Sequence, residues 1–489
     1  MEIDARAGGT GEFRLEHDLI GEREIPACDL RGIHTLRAAE NFFVAARPVC
    51  PRLVRAYALV KKACARANRE TGFLDPRRAD AIERATDEIA RGEHERLFAL
   101  DALQGGAGTS TNLNLNEVIA NRANVLLGLA PGSYSAAGVH PLDHVNLHQS
   151  TNDTYPTALK VALIGAIREA AEAAAALQGA FQKKEKVTAH VVTTGRTELQ
   201  AAVPMTLGAV FSAMAEAAGR DRWRTFKCEE RIRVVNLGGT AVGTGLAAPR
   251  AYVFRATDIL REITGYPLAR AENLVDQTAN ADAFVEIAGI LSAFASNLVK
   301  AARDVRLLAH EGDIALTPLQ AGSSIMPGKV NPVACEAVIQ GGMRARAVLS
   351  IVADAASHGT LQINEYLPLV ADALFESLAL VTASARTLAF CVDGIVPDAA
   401  RCAQGIASNP VIVTAFLPYV GYERAQAILA DYRALARDRA PSGQRDGVTI
   451  RAYLEERLGK DLVDRVLSAD ALSALGFPDT VRPSKGTNE

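Results

Sequence analysis

Between residues 273 and 309 the apolar side chains of Phe284, Ile287, Leu291, Phe294, Leu298, Val305 and Leu308 recur at intervals of three and four, with one gap of seven over Ala301 and Ala302. That interval keeps one stripe of a helix apolar. It predicts a coiled-coil-like seam on a single helix of roughly 50 Å. Long helical patterns also cover residues 155–186, 336–356 and 368–392. Helices of this length are expected to lie side by side, with apolar faces covered by bundling between subunits. Composition agrees: 49% of the residues are hydrophobic but only 5% aromatic, which favours Ala- and Leu-rich helix over sheet. The predicted class is mainly α, with a long central helical bundle.

A chain of 489 residues needs two or three cores. Residues 1–148 mix short helical patterns with Gly- and Asn-rich turns. Residues 149–395 carry the long helices. Residues 396–489 return to short elements, punctuated by Asn409-Pro410 and Gly421. These three stretches are the expected N-terminal, central-bundle and small C-terminal domains, and the polar tail over residues 482–489 is expected to be disordered. The formal net charge is −3 and no basic block stands out, so nucleic acid is not an expected partner. No segment reads as a membrane span. Met1-Glu2-Ile3-Asp4-Ala5-Arg6 is charged and unlike a signal peptide. Seven Cys are scattered without a Cys-x-x-Cys pair, which suits reduced thiols in the cytoplasm.

Four polar stretches interrupt the helical pattern. Gly105-Gly106-Ala107-Gly108-Thr109-Ser110-Thr111-Asn112 places glycines and hydroxyls ahead of a helix, where backbone N–H groups and the helix dipole favour an anion. By itself it reads equally as a Gly turn with a hydroxyl cap. His148-Gln149-Ser150-Thr151-Asn152-Asp153-Thr154-Tyr155-Pro156 again sets hydroxyls and an amide ahead of a long helix, and alone reads as an N-cap. Gly195-Arg196-Thr197-Glu198-Leu199-Gln200 alone reads as a solvated loop.

The fourth stretch is Gly322-Ser323-Ser324-Ile325-Met326-Pro327-Gly328-Lys329-Val330-Asn331-Pro332. Its glycines permit unusual backbone, and Pro327 and Pro332 stop either neighbouring helix from running through. Two hydroxyls, an ammonium and a carboxamide are suitable groups for taking a proton from carbon beside a carboxylate and holding the resulting charge. His140, His144 and His148 have the spacing of helical metal ligands, but Pro141 and Val145 argue against a regular helix there and no Cys or carboxylate cluster supports a metal.

The last stretch matches the signature loop of the aspartase/fumarase superfamily, and all four resemble that superfamily in its order. The likeness extends over nearly the whole chain. It runs from Glu16-His17-Asp18-Leu19-Ile20-Gly21 and Thr35-Leu36-Arg37-Ala38-Ala39-Glu40-Asn41-Phe42 through Val234-Val235-Asn236-Leu237-Gly238-Gly239-Thr240 to Tyr419-Val420-Gly421-Tyr422. Thr109-Ser110-Thr111-Asn112, Val203-Pro204-Met205-Thr206-Leu207-Gly208 and Arg220-Asp221-Arg222-Trp223-Arg224 look more like aspartases than fumarases.

The resemblance implies a three-domain fold that tetramerises around its bundle, with each active site shared by three subunits. It implies a carbon–nitrogen lyase acting on a small amino acid, with no organic cofactor and no metal. Ser323 would be the base, assisted by Lys329, and an aci-carboxylate dianion would form before the amine leaves. Thr109, Ser110, Ser150 and Thr151 would hold the dianion, Asn152 and Thr197 would face the amine, and Lys329 and Asn331 would hold the other carboxylate.

Five positions depart from the family pattern. Glu198 stands where a His or Gln is usual, and Ala201 where an Asp is. Leu30-Arg31-Gly32 replaces Tyr-Tyr-Gly, Ala309-His310-Glu311-Gly312-Asp313 replaces a Ser-Gly-Pro-Arg loop, and Asn364-Glu365-Tyr366 replaces Asn-Val-Met. Added carboxylates and an aromatic ring suit a cationic amine. The expected activity is therefore aspartate ammonia-lyase, with release of trimethylamine from ergothioneine as the alternative. Fumarate hydration, or a catalytically silent structural role, ranks behind both.

Overall fold

The computed structural model describes residues 11–439 and 448–477; the polar tail and the first ten residues lie outside them. In chain order, β1 (Phe13–Asp18) and β2 (Gly21–Pro26) form an antiparallel hairpin, followed by α1 (Ile33–Asn41), α2 (Pro51–Glu70), α3 (Pro76–Ala90) and α4 (Thr109–Leu126). A π-helical turn over Pro141–Val145 leads to α5 (Thr151–Thr188). The hairpin of β3 (Val192–Thr197) and β4 (Gln200–Thr206) precedes α6 (Leu207–Ile232). β5 (Val234–Val235), α7 (Arg250–Thr264), β6 (Ala269–Arg270), α8 (Leu274–Ala279), α9 (Asp282–Glu311), β7 (Ile314–Ala315), α10 (Val333–Ser357), α11 (Leu367–Asp393) and β8 (Val396–Pro397) follow. Six further helices, α12 (Ala399–Ser408), α13 (Leu417–Val420), α14 (Tyr422–Arg439), α15 (Ile450–Leu458), α16 (Lys460–Val466) and α17 (Ala469–Ser473), lie beyond among the described residues. The fold is mainly helical, as the composition predicts.

The chain gathers into two compact units. One holds residues up to Glu172 with Asp221–Ser296 and Gly342–Thr382; the other holds Ala173–Arg220, Asn297–Gly341 and the residues from Ala383 onward. In the first, Tyr57, Ile82, Leu115, Leu163, Ile287 and Leu374 are wholly buried in one continuous apolar core. In the second, Ile412, Phe416, Ile450, Leu454 and Val463 form a smaller core, with Val192 packed against it. The N-terminus of α1 is fixed by a buried carboxylate. Glu117 accepts the backbone N–H groups of Gly32, His34 and Thr35 at 2.8–3.0 Å and the Thr35 hydroxyl at 2.5 Å. Those are orphan donors of a helix start, so one side chain from α4 does the work of a cap.

Three of the long patterns have the expected extents: α5, α10 and α11 lie within about four residues of the sequence boundaries. The seam differs. Asn273 caps α8 by accepting from Val275 and Asp276, and Asn280 is extended, so the chain breaks before Asp282 and restarts as α9. Every seam residue is at most 8% exposed in the single chain. The seam is thus covered by its own chain. The 26-residue α6 buries a stripe of Leu207, Phe211, Met214, Ala218, Cys228 and Ile232 that Asp221 and Thr225 interrupt. By length and composition α9 and α11 could each cross a bilayer, a test that a buried core helix also passes. Their most apolar windows are 44% and 67% buried inside the protein, and α9 carries Arg303, Asp304 and Arg306.

Leu291 has no solvent contact. Leu291→Ala should therefore cost about 2–5 kcal/mol and lower the thermal unfolding temperature. An unchanged unfolding temperature at equal protein concentration would show that the seam does not carry the core.

Candidate active site

The anion-type stretches converge in the first unit at the starts of α4 and α5. Gly108 precedes α4 with φ +92, and a Cβ there would collide with the Tyr155 ring, so only glycine lets α5 approach. Thr109 is exposed and its hydroxyl donates to Gly106 O at 2.7 Å, while Ser110 is half-buried one residue on. Ser150 caps α5: its Oγ accepts the Asn152 N–H at 3.2 Å. Asn112 Nδ2 donates to the Thr151 hydroxyl at 3.1 Å, which ties the two helix starts together. Asn152 Nδ2 donates to Ala241 O at 2.7 Å, which leaves the Oδ1 of its carboxamide as an acceptor.

Two buried charges hold this corner. Asp153 has no solvent contact, and its carboxylate accepts the N–H groups of Ser150, Gly238 and Thr240 at 2.9–3.1 Å. Lys61, on α2, is equally buried and donates to Asn146 Oδ1 and Gln149 Oε1, both at 2.9 Å. Asn146 Oδ1 also accepts from Asn112 and Asn116. Burial pushes the Asp153 carboxyl up to about 6, against the three backbone donors and the Lys61 charge. Burial pushes the Lys61 ammonium down to about 7. Neither residue figured among the sequence candidates. Lys61 could have been found, because it falls on the same stripe of α2 as Tyr57, Cys64 and Asn68, all of them buried.

The second unit carries the other candidates. Thr197 and Gln200 pair across a two-residue turn, so Glu198 and Leu199 form the tip of the β3–β4 hairpin with φ +52 and +62. Such a turn favours Asn-Gly; a Glu and a branched Leu in left-handed backbone are strained there. Both are exposed, and the Glu198 carboxylate has no partner among the described residues. The stretch that alone reads as a solvated loop is thus the exposed tip of a β-hairpin.

The hairpin is pinned just below its tip by Arg196, whose Nη1 donates to Asp313 Oδ2 at 2.6 Å, with Glu311 at 3.4 Å. Thr193 donates to the same Asp313 oxygen at 3.1 Å. Asp313 belongs to the segment that departs from the family pattern, and it fastens the hairpin to the strand that leads into the signature loop. Glu336, in the first turn of α10, pairs with Arg306 at 3.5 Å.

The signature loop closes on itself. Gly322 N–H donates to Lys329 O at 2.8 Å, and Asn331 Nδ2 donates to Gly322 O at 2.9 Å. A side chain at position 322 would meet the Lys329 carbonyl. Inside this closure Ser323 Oγ accepts the N–H groups of Ile325 and Met326 at 3.2 and 3.0 Å. Two donors aimed at one hydroxyl oxygen stabilise its anion, as an activated serine requires. Lys329 is exposed with no side-chain partner among the described residues, and Asn331 keeps one amide hydrogen free.

The three candidate histidines are engaged in hydrogen bonds. His140 Nδ1 accepts from Leu142 and Asp143, His144 Nδ1 accepts from His140 N at 2.8 Å, and His148 Nδ1 meets Asn68 Oδ1 at 2.6 Å.

Lys61 gives a pH signature. Its folded-state value lies below its unfolded value, so the unfolded chain binds the extra proton between about pH 7 and 10.5. Its contribution to stability is full above that window and is lost as pH falls through it. Wild type should gain stability relative to Lys61→Met as pH rises from 7 to 10. Parallel unfolding-temperature profiles would remove the buried charge from the account.

The comparisons agree with this geometry. The family described as Lyase matches residues 21–347. The aspartate ammonia-lyase of Helicobacter pylori strain J99 is 41% identical over 436 residues, covering 88% of this chain and 92% of that protein. The aspartate ammonia-lyase of Pseudomonas fluorescens is 42% identical over 429 residues, covering 86% and 89%. A solved structure described as fumarate lyase:delta crystallin from Brucella melitensis bound to cobalt superposes with a TM-score of 0.87 at 41% identity, covering 94% of this chain and 99% of that one. Class II fumarase from Schistosoma mansoni gives 0.84 at 27% identity, covering 94% and 98%. The complete signature loop, the two polar helix starts and these likenesses together make the chain a carbon–nitrogen lyase of the aspartase/fumarase superfamily, on its aspartate ammonia-lyase-like branch.

Proposed function

We propose that this protein is an aspartate ammonia-lyase, converting aspartate to fumarate and ammonia without an organic cofactor or a metal. The observation that carries the reading is the Ser323 hydroxyl, held by two backbone N–H groups inside a closed loop. The aspartate ammonia-lyases about 40% identical over most of the chain supply the substrate. Ser323 takes the proton from the carbon beside one carboxylate. Thr109, Ser110, Ser150 and Thr151 hold the resulting dianion at the helix starts, where N–H groups and dipoles favour negative charge. Asn152 and Thr197 face the amine, which leaves from the neighbouring carbon. Lys329 and Asn331 hold the second carboxylate.

The same reading divides the chain near residues 148 and 395 and makes it a homotetramer whose subunits share each site. Exposed Trp223 and Phe226 of α6 and Met343 of α10 support a surface covered by other copies. The cysteines are all free thiols, which supports a reducing, cytoplasmic setting.

A second substrate reading is favoured by Glu198. An unpaired carboxylate on a strained tip is an acceptor for a fixed cation, and ergothioneine, losing trimethylamine, has one.

Ser323→Ala should cut kcat at least about a hundredfold with the fold intact, the scale of losing a general base. Near-normal turnover would exclude that role. Glu198→Gln should lower kcat/KM for a trimethylated amino acid more than for aspartate. An equal loss on both, or turnover of aspartate alone, would leave only the ammonia-lyase reading. Light scattering should give four chains per particle at micromolar concentration, and a stable monomer would contradict the shared site.

A further inference from the structure

Cys335 and Cys391 meet in the second unit with their sulfurs 3.7 Å apart. Cys335 lies in the first turn of α10, four residues after Asn331, and has no solvent contact. Cys391 lies near the end of α11 and is 9% exposed, on the wall of a cavity of about 200 Å³ that Asn331, Pro332 and Phe390 also line. Cys64, Cys228 and Cys402 are also buried, and among the described residues Cys335 and Cys391 are the one pair of thiols in mutual contact.

We propose that Cys335 and Cys391 are a modification site, where a small hydroperoxide forms an intramolecular disulfide that clasps the base of the Ser323 loop. The cavity delivers the oxidant to Cys391. Its thiol is lowered because the Cys335 S–H can donate to its anion, with burial opposing. The Cys391 thiolate attacks a peroxide oxygen. An S–O bond forms as the O–O bond breaks, and the departing oxygen leaves as an alcohol or water. The sulfur, now a sulfenic acid, has lost two electrons and the peroxide has gained them.

The Cys391 contact and burial hold the Cys335 thiol well above its usual range while both sulfurs are reduced. Once Cys391 is a sulfenic acid its thiolate no longer opposes ionisation, and Cys335, in the first turn of α10, then attacks that sulfur. The S–S bond forms, the S–O bond breaks, and the hydroxide leaves as water with the Cys335 proton. Closure brings the sulfurs from 3.7 Å to about 2.0 Å. That movement draws on the first turn of α10, hence on Asn331, and through its bond to Gly322 O on the residue preceding Ser323.

The test compares full-length reduced protein with protein treated with hydrogen peroxide, reading disulfides and amide exchange by peptide mass spectrometry. Treatment should link the peptides of Cys335 and Cys391 with loss of two hydrogens. It should slow exchange over residues 322–331 at least about threefold, and dithiothreitol should reverse both. Cys335→Ser and, separately, Cys391→Ala should show neither change. Thiols persisting at both positions after exposed Cys28 is oxidised would overturn the proposal, as would a disulfide that leaves loop exchange unaltered. Neither readout needs turnover, so a failed ammonia-lyase reading is distinguishable from a failed clasp.

Discussion

The corner that the candidate site depends on is held by one buried carboxylate. Asp153 accepts three backbone N–H groups, one from the cap of α5 and two from the turn that follows β5. Burying a charge is unfavourable unless it is fully hydrogen-bonded, so this arrangement persists only where all three donors are in place. It fixes Ser150, Thr151 and Asn152 at the start of a 38-residue helix, a rigid support for the binding of an anion. Lys61 supplies the opposite charge from α2, and the asparagines of α4 share its acceptor. The hydroxyls proposed to hold the substrate are thus supported by buried amides and charges.

The second unit solves the same problem differently. Its site residues sit on a hairpin tip and on a closed loop rather than on helix starts. The hairpin is anchored by Arg196 to Asp313, and the loop by its own backbone and Asn331. Strain at Glu198 and Leu199 is tolerated because the strands below over-determine the turn. A strained carboxylate without a partner, at a position where the family has His or Gln, is where a change of substrate would act first.

Much of this was legible in the sequence. The seam over Phe284–Leu308 is a buried stripe, and the long helices α5, α10 and α11 follow the apolar period closely, because that period directly records a packed face. The signature loop could be read because Gly, Pro, Ser, Lys and Asn at fixed spacing leave few alternatives. The helix break at Asn280 was not legible, since a polar cap within an apolar pattern has no periodic signal. Helix α6 escaped notice because Asp221 and Thr225 interrupt its stripe. Asp153, Arg196 and Asp313 were hidden for a common reason: each acts through a partner far away in the chain, and no local pattern records such pairing, whereas Lys61 at least shares a buried helical stripe with Tyr57, Cys64 and Asn68. The expectation that the seam demands other subunits failed because the chain covers it itself.

The central claim is that the closed Ser323 loop belongs to an enzyme that breaks a carbon–nitrogen bond. Proton NMR of wild-type protein incubated with aspartate deuterated at C3 tests it most directly. The account predicts fumarate retaining one of the two deuterons, with one ammonia released per fumarate. No olefin from aspartate or ergothioneine, together with malate formed when fumarate is supplied in water, would contradict it and make the protein a hydratase.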